Sequence, residues 1–536
     1  MKKLKLVCVA IAMAGAAPTF AGGLLTNTNQ HVAFNRMMSR EASIGIDGVY
    51  YNPAGVVFMG EGHHLAINWQ LAYQTRTINN DYKLFTNNVN NPITPRDFKG
   101  KAFAPVIPSF QYAYNKGKWS FQANFSLTGG GGKCTFDDGL GSFEKIVSET
   151  AIAACGLAGV VDQTLGNKLG QQGMEMFTSD QAFGKTGKYS FNSYMHGRQY
   201  YYGLSAGAAY KFCDNFSAFL GVRGVYALTN YYGYVENINV GNMPLYKVLD
   251  PTKENAANIE LSCDQTGVGF TPIIGVDYKT GRWNFSAKYE FKTRIRLKNK
   301  SVNQTPSIGN LPANLANQMT GILTAKYQQA GLPLEQAKQQ AENTTNAVLN
   351  DPTVGATMMG LKTQFDQKLN KAIGEYEDGK KIAGDIPGYL ALGIGYSPVD
   401  AVRVNVGFHW FDDKNATSYN NRNKELKRGT LEYNAGVEVD VNKKITLSTG
   451  WQNTNYGLSD EYMDDKSFVV SSNSAAIGGV YHINKKMDLN VAYFHTFYQH
   501  KKTSETVQLA ADKSIVYNSD YTRNNNVFAV GLDINF

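Results

Sequence analysis

The residues best suited to chemistry in this chain are scattered. Four glycines at 129–132 run into Lys133, but the spacing is not that of a loop that wraps a phosphate. His63 and His64 stand together with no carboxylate at metal-ligand spacing, so they read as interfacial histidines. His409 falls on the polar face of an alternating stretch, whereas a phospholipase built on a barrel wall needs its Ser/His pair on the lipid face. His495 shares a face with Tyr493 and Phe497, which leaves a serine partner open. Asp137-Asp138 and Asp464-Asp465 read as solvated loop carboxylates. Cys134 and Cys155 share one predicted loop and are close enough to pair, while Cys213 and Cys263 fall at opposite ends of the architecture derived below. No CxxC or Cys/His ligand spacing exists, and free cysteines are the simpler expectation. The chain is therefore expected not to be an enzyme and to have no cofactor, no metal and no nucleic-acid partner.

Whatever positions these residues lies beyond the cytoplasm. Lys2, Lys3 and Lys5 precede an apolar run at 6–17 and then Pro18-Thr19-Phe20-Ala21, the three-part pattern of a secretory signal. Cleavage is expected after Ala21, which lowers the net charge from +8 to +5. Most of the apolar run lies after Cys8, which argues against a lipoprotein. After residue 21 no stretch approaches 18 consecutive apolar residues, so helical membrane spans are not expected. The chain is nonetheless 12% aromatic, with 32 Tyr and 53 Gly. That composition suits either a secreted β-sandwich or a membrane barrel, in which only alternate residues meet lipid.

Alternation decides between them. Along 118–127, Trp119, Phe121, Ala123, Phe125 and Leu127 face away from Ser120, Gln122, Asn124 and Ser126. Trp283, Phe285, Ala287, Tyr289 and Phe291 oppose Asn284, Lys288 and Glu290, and Val402, Val404, Val406 and Phe408 oppose Arg403, Asn405 and His409. Leu431, Tyr433, Ala435 and Val437 oppose Glu432, Asn434 and Glu438. These half-buried strands reach the roughly 9 to 11 residues that a tilted membrane strand needs. Short turns near residues 116, 214, 280, 399, 443 and 485 interleave with long polar connections near 78–98, 129–195, 234–262, 298–384, 413–426, 457–469 and 501–520. The count gives fourteen antiparallel strands, all-β, with short periplasmic turns and long extracellular loops. The final strand alternates up to a terminal Phe536, as outer-membrane barrels do. Fourteen strands enclose a bore too wide for wall side chains to fill. Residues 22–59, which precede the first strand near His63, are expected to plug it, leaving 60–536 as the barrel.

The plug reads Ala42-Ser43-Ile44-Gly45-Ile46-Asp47-Gly48-Val49-Tyr50-Tyr51-Asn52-Pro53-Ala54-Gly55. It resembles the N-terminal hatch of the FadL-like outer-membrane transporters of long-chain fatty acids and aromatic hydrocarbons, with Asn52, Pro53 and Ala54 matching the family's Asn-Pro-Ala triplet. Pro108, Tyr112, Tyr114 and Trp119 resemble its second and third strands, and residues 386–398 the strand that enters its last section. The resemblance implies passive uptake of a hydrophobic ligand: capture at the mouth, transfer into the bore, and release past the hatch through a wall gap. Pro105 and Pro108 lie within the second strand, where proline cannot donate to the ladder, and mark a possible wall opening. The family's kink belongs to the third strand, which over 118–128 has neither Gly nor Pro. Phe143, Ile146 and Val147, continued by Ala151 and Ala154, form one helical stripe. Leu361, Phe365 and Leu369 form another, and together they are candidates for a loop groove. Expected partners are the ligand, outer-membrane lipid and lipopolysaccharide, and the barrel assembly machinery, with the chain a monomer. The alternative is a diffusion porin for hydrophilic solutes, lined by Lys288, Glu290, Arg403, Glu432 and Glu438.

Overall fold

The computed structural model describes residues 24–171, 173–306, 310–510 and 513–536. The expected leader and the first two residues of the hatch lie outside that range. Fourteen strands form one closed antiparallel barrel. They are β1 (Gly62–Tyr82), β2 (Arg96–Lys116), β3 (Trp119–Phe136), β4 (Tyr189–Cys213), β5 (Phe216–Val240), β6 (Ile259–Thr280) and β7 (Trp283–Glu290 with Arg296–Gln304). The second half comprises β8 (Lys381–Ala383 with Tyr389–Val399), β9 (Val402–Phe411), β10 (Thr430–Asn442), β11 (Ile445–Asn455), β12 (Ser472–Asn484), β13 (Met487–Tyr498 with Lys501–Ala510) and β14 (Lys513–Asn535). Where a strand has two parts, both keep the same neighbour: β6 pairs with each segment of β7, and β14 with each segment of β13. Closure runs from His64↔Asn535 to Tyr82↔Tyr517, so the sheet has no edge strand.

The period-two pattern lands as expected. Trp119 and Phe121 are exposed while Ser120, Gln122, Asn124 and Ser126 are buried, and the same split separates Trp283 and Phe285 from Lys288 and Glu290. The exposed apolar row continues around the wall through Leu204, Leu220, Phe270, Val406, Leu447, Ile477 and Phe528. A soluble protein does not leave a band of that extent wet, so the outer face is the lipid face of an outer-membrane barrel. All six short turns fall at one end, the periplasmic end.

At the other end the strands run further than alternation revealed. β4 and β5 are each 25 residues long and β14 is 23, about twice what a bilayer needs. The connection expected over 129–195 therefore shrinks to 137–188, and that over 298–384 to 305–380. Residues 501–510 and 513–520 are strand and not loop: they pair from Lys501↔Tyr521 to Ala510↔Lys513. The outward residues of these extensions, Arg198, Asn230, Lys502 and Asn518 among them, are polar, so the apolar outer face that marks a strand within the bilayer is lost there, while Val235, Val240, Val507 and Tyr517 stay buried on the inner face.

Inside the bore sit two short helices, α1 (Val32–Met37) and α2 (Gly48–Tyr51), and a 3-10 turn over Gly55–Phe58. Helices of one turn do not hold alone in water. The surrounding wall holds these, since residues 26–43 are almost all buried. Over the mouth lie α3 (Gly141–Leu169), α4 (Tyr246–Leu249), α5 (Leu311–Gln329), α6 (Leu334–Leu349) and α7 (Pro352–Ile373). By length and composition α3 alone among the described helices is apolar enough to cross a membrane. It lies instead across the mouth, where Asp465 accepts its Ser142 N–H at 2.8 Å and Lys145 pairs with Glu505 of β13. The four cysteines among the described residues are all reduced; Cys134 and Cys155 are both buried, on β3 and α3, without bonding to each other.

Candidate functional site

The hatch triplet is tied to the wall through its polar atoms. Asn52 Nδ2 donates to Asp277 Oδ2 at 2.6 Å, and its own Oδ1 accepts the Gly55 N–H at 3.2 Å. The Pro53 carbonyl accepts from Gln122 Nε2 at 2.7 Å, and the Ala54 carbonyl from Ser217 Oγ at 2.7 Å. Asparagine both closes the local turn and reaches β6. Proline supplies a carbonyl with no N–H to satisfy in return.

Charge then anchors the rest of the hatch. Arg36 Nη1 lies 2.5 Å from Glu438 Oε2, and Arg403 reaches the other Glu438 oxygen at 2.6 Å. Arg40 makes a two-pronged contact with Asp47 at 2.7 and 3.1 Å and sits 3.5 Å from Glu438. His409 stands between Glu41 of the hatch and Glu432 of β10, each 2.8 Å from a ring nitrogen, and all three are buried. The doubly protonated imidazolium is the form that satisfies both carboxylates. Lys288 donates to the Tyr50 carbonyl at 2.6 Å and to Glu290 at 2.9 Å, while Arg223 holds the other Glu290 oxygen at 2.7 Å. Every bore-facing charge proposed for a hydrophilic pore is thus engaged with the hatch or with a neighbour on the wall. The hatch residues Arg36, Arg40 and Glu41 carried no motif, and they lie some 400 positions from their partners on the wall.

The wall is interrupted between β2 and β3. Their ladder runs from Lys116↔Trp119 to Phe110↔Phe125, stops, and resumes at Phe103↔Lys133, leaving residues 104–109 opposite 126–132 unpaired. Pro105 and Pro108 lie in that interval. On the other side of β2 a bulge between Gln70 and Ala72 accommodates the extra chain, and Trp69 Nε1 donates to the Pro105 carbonyl at 2.9 Å. β3 breaks at its glycines, with bulges at 127–129 and 130–132 and positive φ at Gly130 (70°) and Gly131 (128°). The sequence reading closed β3 at Thr128, one residue before this kink, because glycine carries no alternation.

The hatch substitutes for the missing ladder from within. Asn27 donates from its backbone to Thr128 O at 2.9 Å and from Nδ2 to Leu127 O and Gly130 O, and Gln30 Nε2 reaches Leu127 O at 2.9 Å. Ser109 Oγ and Gln111 Nε2 of β2 both donate to the Gln30 carbonyl. A Cβ at Gly129 would stand 2.3 Å from the Leu25 carbonyl, so the glycine run admits the hatch backbone against the wall. The inner rim of the gap is apolar: Ala104, Ile107 and Leu127 pack with Phe34, Tyr50 and Tyr51 of the hatch.

At the mouth, the two predicted stripes meet. Phe143, Ile146 and Val147 of α3 line one crevice with Val235, Ile238 and Phe365 of α7, and Leu361 packs on the same core. The side chain of Leu369 lies outside the described residues. The crevice is almost wholly apolar and closed down to about 20 Å³, room for little more than one water.

By sequence, no protein-family model and no curated protein matches the chain. Solved structures do. A FadL homologue of Pseudomonas aeruginosa superposes with a TM-score of 0.57 at 13% identity, covering 96% of this chain and 100% of the other. A deletion mutant of TodX, a monoaromatic hydrocarbon channel, superposes at 0.50 and 13% identity, covering 94% and 99%. Identities this low speak to fold. The chain has the FadL-like fold, a fourteen-stranded outer-membrane barrel with its N-terminal hatch seated in the bore.

Proposed function

We propose that the protein is a passive outer-membrane channel for hydrophobic molecules, long-chain fatty acids or similar, and not an enzyme. The ligand enters between α3 and α7, passes into the bore, and leaves past the hatch through the gap between β2 and β3. The observation that carries this reading is the interrupted ladder at 104–109 and 126–132, with apolar hatch side chains on its inner rim and Trp69, Phe103 and Phe110 exposed on its lipid side. Burying a methylene is worth about 0.8 kcal/mol, so a sixteen-carbon chain carries roughly 12 kcal/mol of transfer free energy. Release into the bilayer keeps that stabilisation, whereas release into periplasmic water forfeits most of it. The names of the structural neighbours, a FadL homologue and a hydrocarbon channel, support the same class of cargo. The diffusion porin is disfavoured because the bore charges are engaged with the hatch and with one another.

Ala104 is buried on the inner rim. Ala104→Trp fills the gap, and cellular uptake of a labelled long-chain fatty acid and of an aromatic hydrocarbon should fall at least tenfold while the barrel stays heat-modifiable on a gel. Uptake at the parental rate from folded Ala104→Trp would remove the lateral route.

A further inference from the structure

The outer wall beside the gap carries a second pattern that the uptake route does not use. Phe103, Lys133 and Arg198 are successive ladder partners on β2, β3 and β4, so their outward side chains form one row. One step further from the periplasm, Lys101, Thr135, His196 and Tyr232 form the next row. Lys101, Lys133 and Arg198 are exposed, and among the described residues none of the three has an acidic side chain within the 4.0 Å of an ion pair. Like charges placed directly opposite on adjacent strands repel, and Lys133 faces Arg198 in that way. A bound anion relieves this repulsion. Directly below, Phe103, Val106 and Phe110 are exposed to the bilayer. Directly above, Tyr194 stacks on Tyr234 with ring centres 5.8 Å apart, and His196 leans on Tyr232 at 5.6 Å.

We propose that this face seats a phosphorylated glycolipid of the outer leaflet, the lipid A portion of lipopolysaccharide. Its acyl chains lie on Phe103 and the wall beneath, and a phosphate sits among Lys101, Lys133 and Arg198. Its sugar rings meet the tyrosine terrace. Three tiers match in order: apolar wall, cationic rim, aromatic shelf. Arginine supplies the forked donor geometry that a phosphate accepts, and tyrosine presents an apolar face with a polar tip at the level of a membrane interface. The site stands on the side of the long loops, hence in the outer leaflet, and it does not depend on the uptake role.

The test uses full-length protein stripped of lipid by detergent exchange and placed in phosphatidylethanolamine nanodiscs. These hold either bis-phosphorylated lipid A or its dephosphorylated form, and native mass spectrometry counts the lipid A retained per protein. The expected result is retention of the phosphorylated form at least tenfold above the dephosphorylated one. That preference should vanish in the triple variant Lys101→Gln/Lys133→Gln/Arg198→Gln. Lys443→Gln/Lys444→Gln, on a periplasmic turn, should retain the parental preference. Equal retention of the two lipids, an unchanged triple variant, or an equal loss in the periplasmic control overturns the proposal. Should the triple variant not reach the heat-modifiable folded form, Lys133→Gln and Arg198→Gln are read singly, and parental retention in both has the same consequence.

Discussion

Glu438 is placed where three guanidiniums converge, from Arg36, Arg40 and Arg403. The carboxylate is buried, so its removal leaves positive charge without its counter-ion in a poorly solvated bore. Breaking a buried pair from one side costs about 3–5 kcal/mol. Glu438→Gln keeps the shape and removes the charge, and it should loosen the hatch without opening the sheet. The measurement is planar-bilayer recording: brief openings are expected over a silent parental baseline, and a variant as silent as the parent would show that Glu438 is not a main anchor. Asp413, in the connection after β9, is a second residue with an argued sign. Its carboxylate accepts from Leu24 N and from Thr430 N and Oγ1, yet burial pushes its pKa up to about 6 from 3.8. The folded protein therefore binds this proton more tightly than the unfolded chain does. Its contribution to stability is full below about pH 4 and is lost as pH rises through 6, by up to about 3 kcal/mol. Asp413→Asn has no such proton, so its urea midpoint should rise at pH 7.5 and stay unchanged at pH 4, and a parental gap between the two pH values would refute the assignment. The sequence marked Glu438 as bore-facing from alternation alone, but no local signal names Arg36 as its partner, because only closure of the barrel brings them together.

At the scale of elements, β3 shows where a period-two reading stops. Residues 119–127 alternate and were legible as a strand; the glycines at 129–132 offer no side chains to alternate, although backbone pairing with β4 continues to Phe136↔Met195. The kink is nonetheless sequence-encoded, since left-handed backbone at Gly130 and Gly131 is open to few other residues. A Cβ at Gly130 would lie 2.4 Å from the Gln199 carbonyl, and the conformation alone costs a non-glycine residue about 1–2 kcal/mol. Gly130→Ala should therefore push β3 toward regular pairing and narrow the gap, lowering uptake per folded barrel several-fold. Gly281→Ala is the matched control: it too has positive φ, at 56°, with open space around it on a periplasmic turn. If both alanines reduce uptake equally, strain in general and not the β3 kink is responsible. The paired strand segments at 501–510 and 513–520 were missed for the complementary reason. Their outward residues Lys502, Ser504, Thr506 and Asn518 are polar, so the apolar outer face of the other strands is missing although Val507 and Tyr517 are buried within, and only the ladder between the two segments identifies them as strand.

For the whole molecule, fourteen strands, their order and the end carrying short turns were all legible, because an antiparallel barrel repeats one local rule until it closes. What filled the bore was legible only by elimination, and how it is held there was not. The hatch and the mouth helices are two candidate barriers to water, and they can be separated. Fourteen strands enclose more space than wall side chains fill, and Asn124, Lys288, His409 and Glu438, now packed on or beside the hatch, would line a wet channel once it is gone. Deleting residues 22–59 should convert a silent barrel into one with sustained ionic current. If the current stays closed in a folded deletion variant, α3 and its neighbours are the seal. In that case Asp465→Ala, which removes the acceptor of the Ser142 N–H at the start of α3, should restore the current in the deletion background and leave the hatched protein silent. Current from the hatched Asp465→Ala protein would mean that the hatch does not close the bore, and the uptake reading built on it would fall with it.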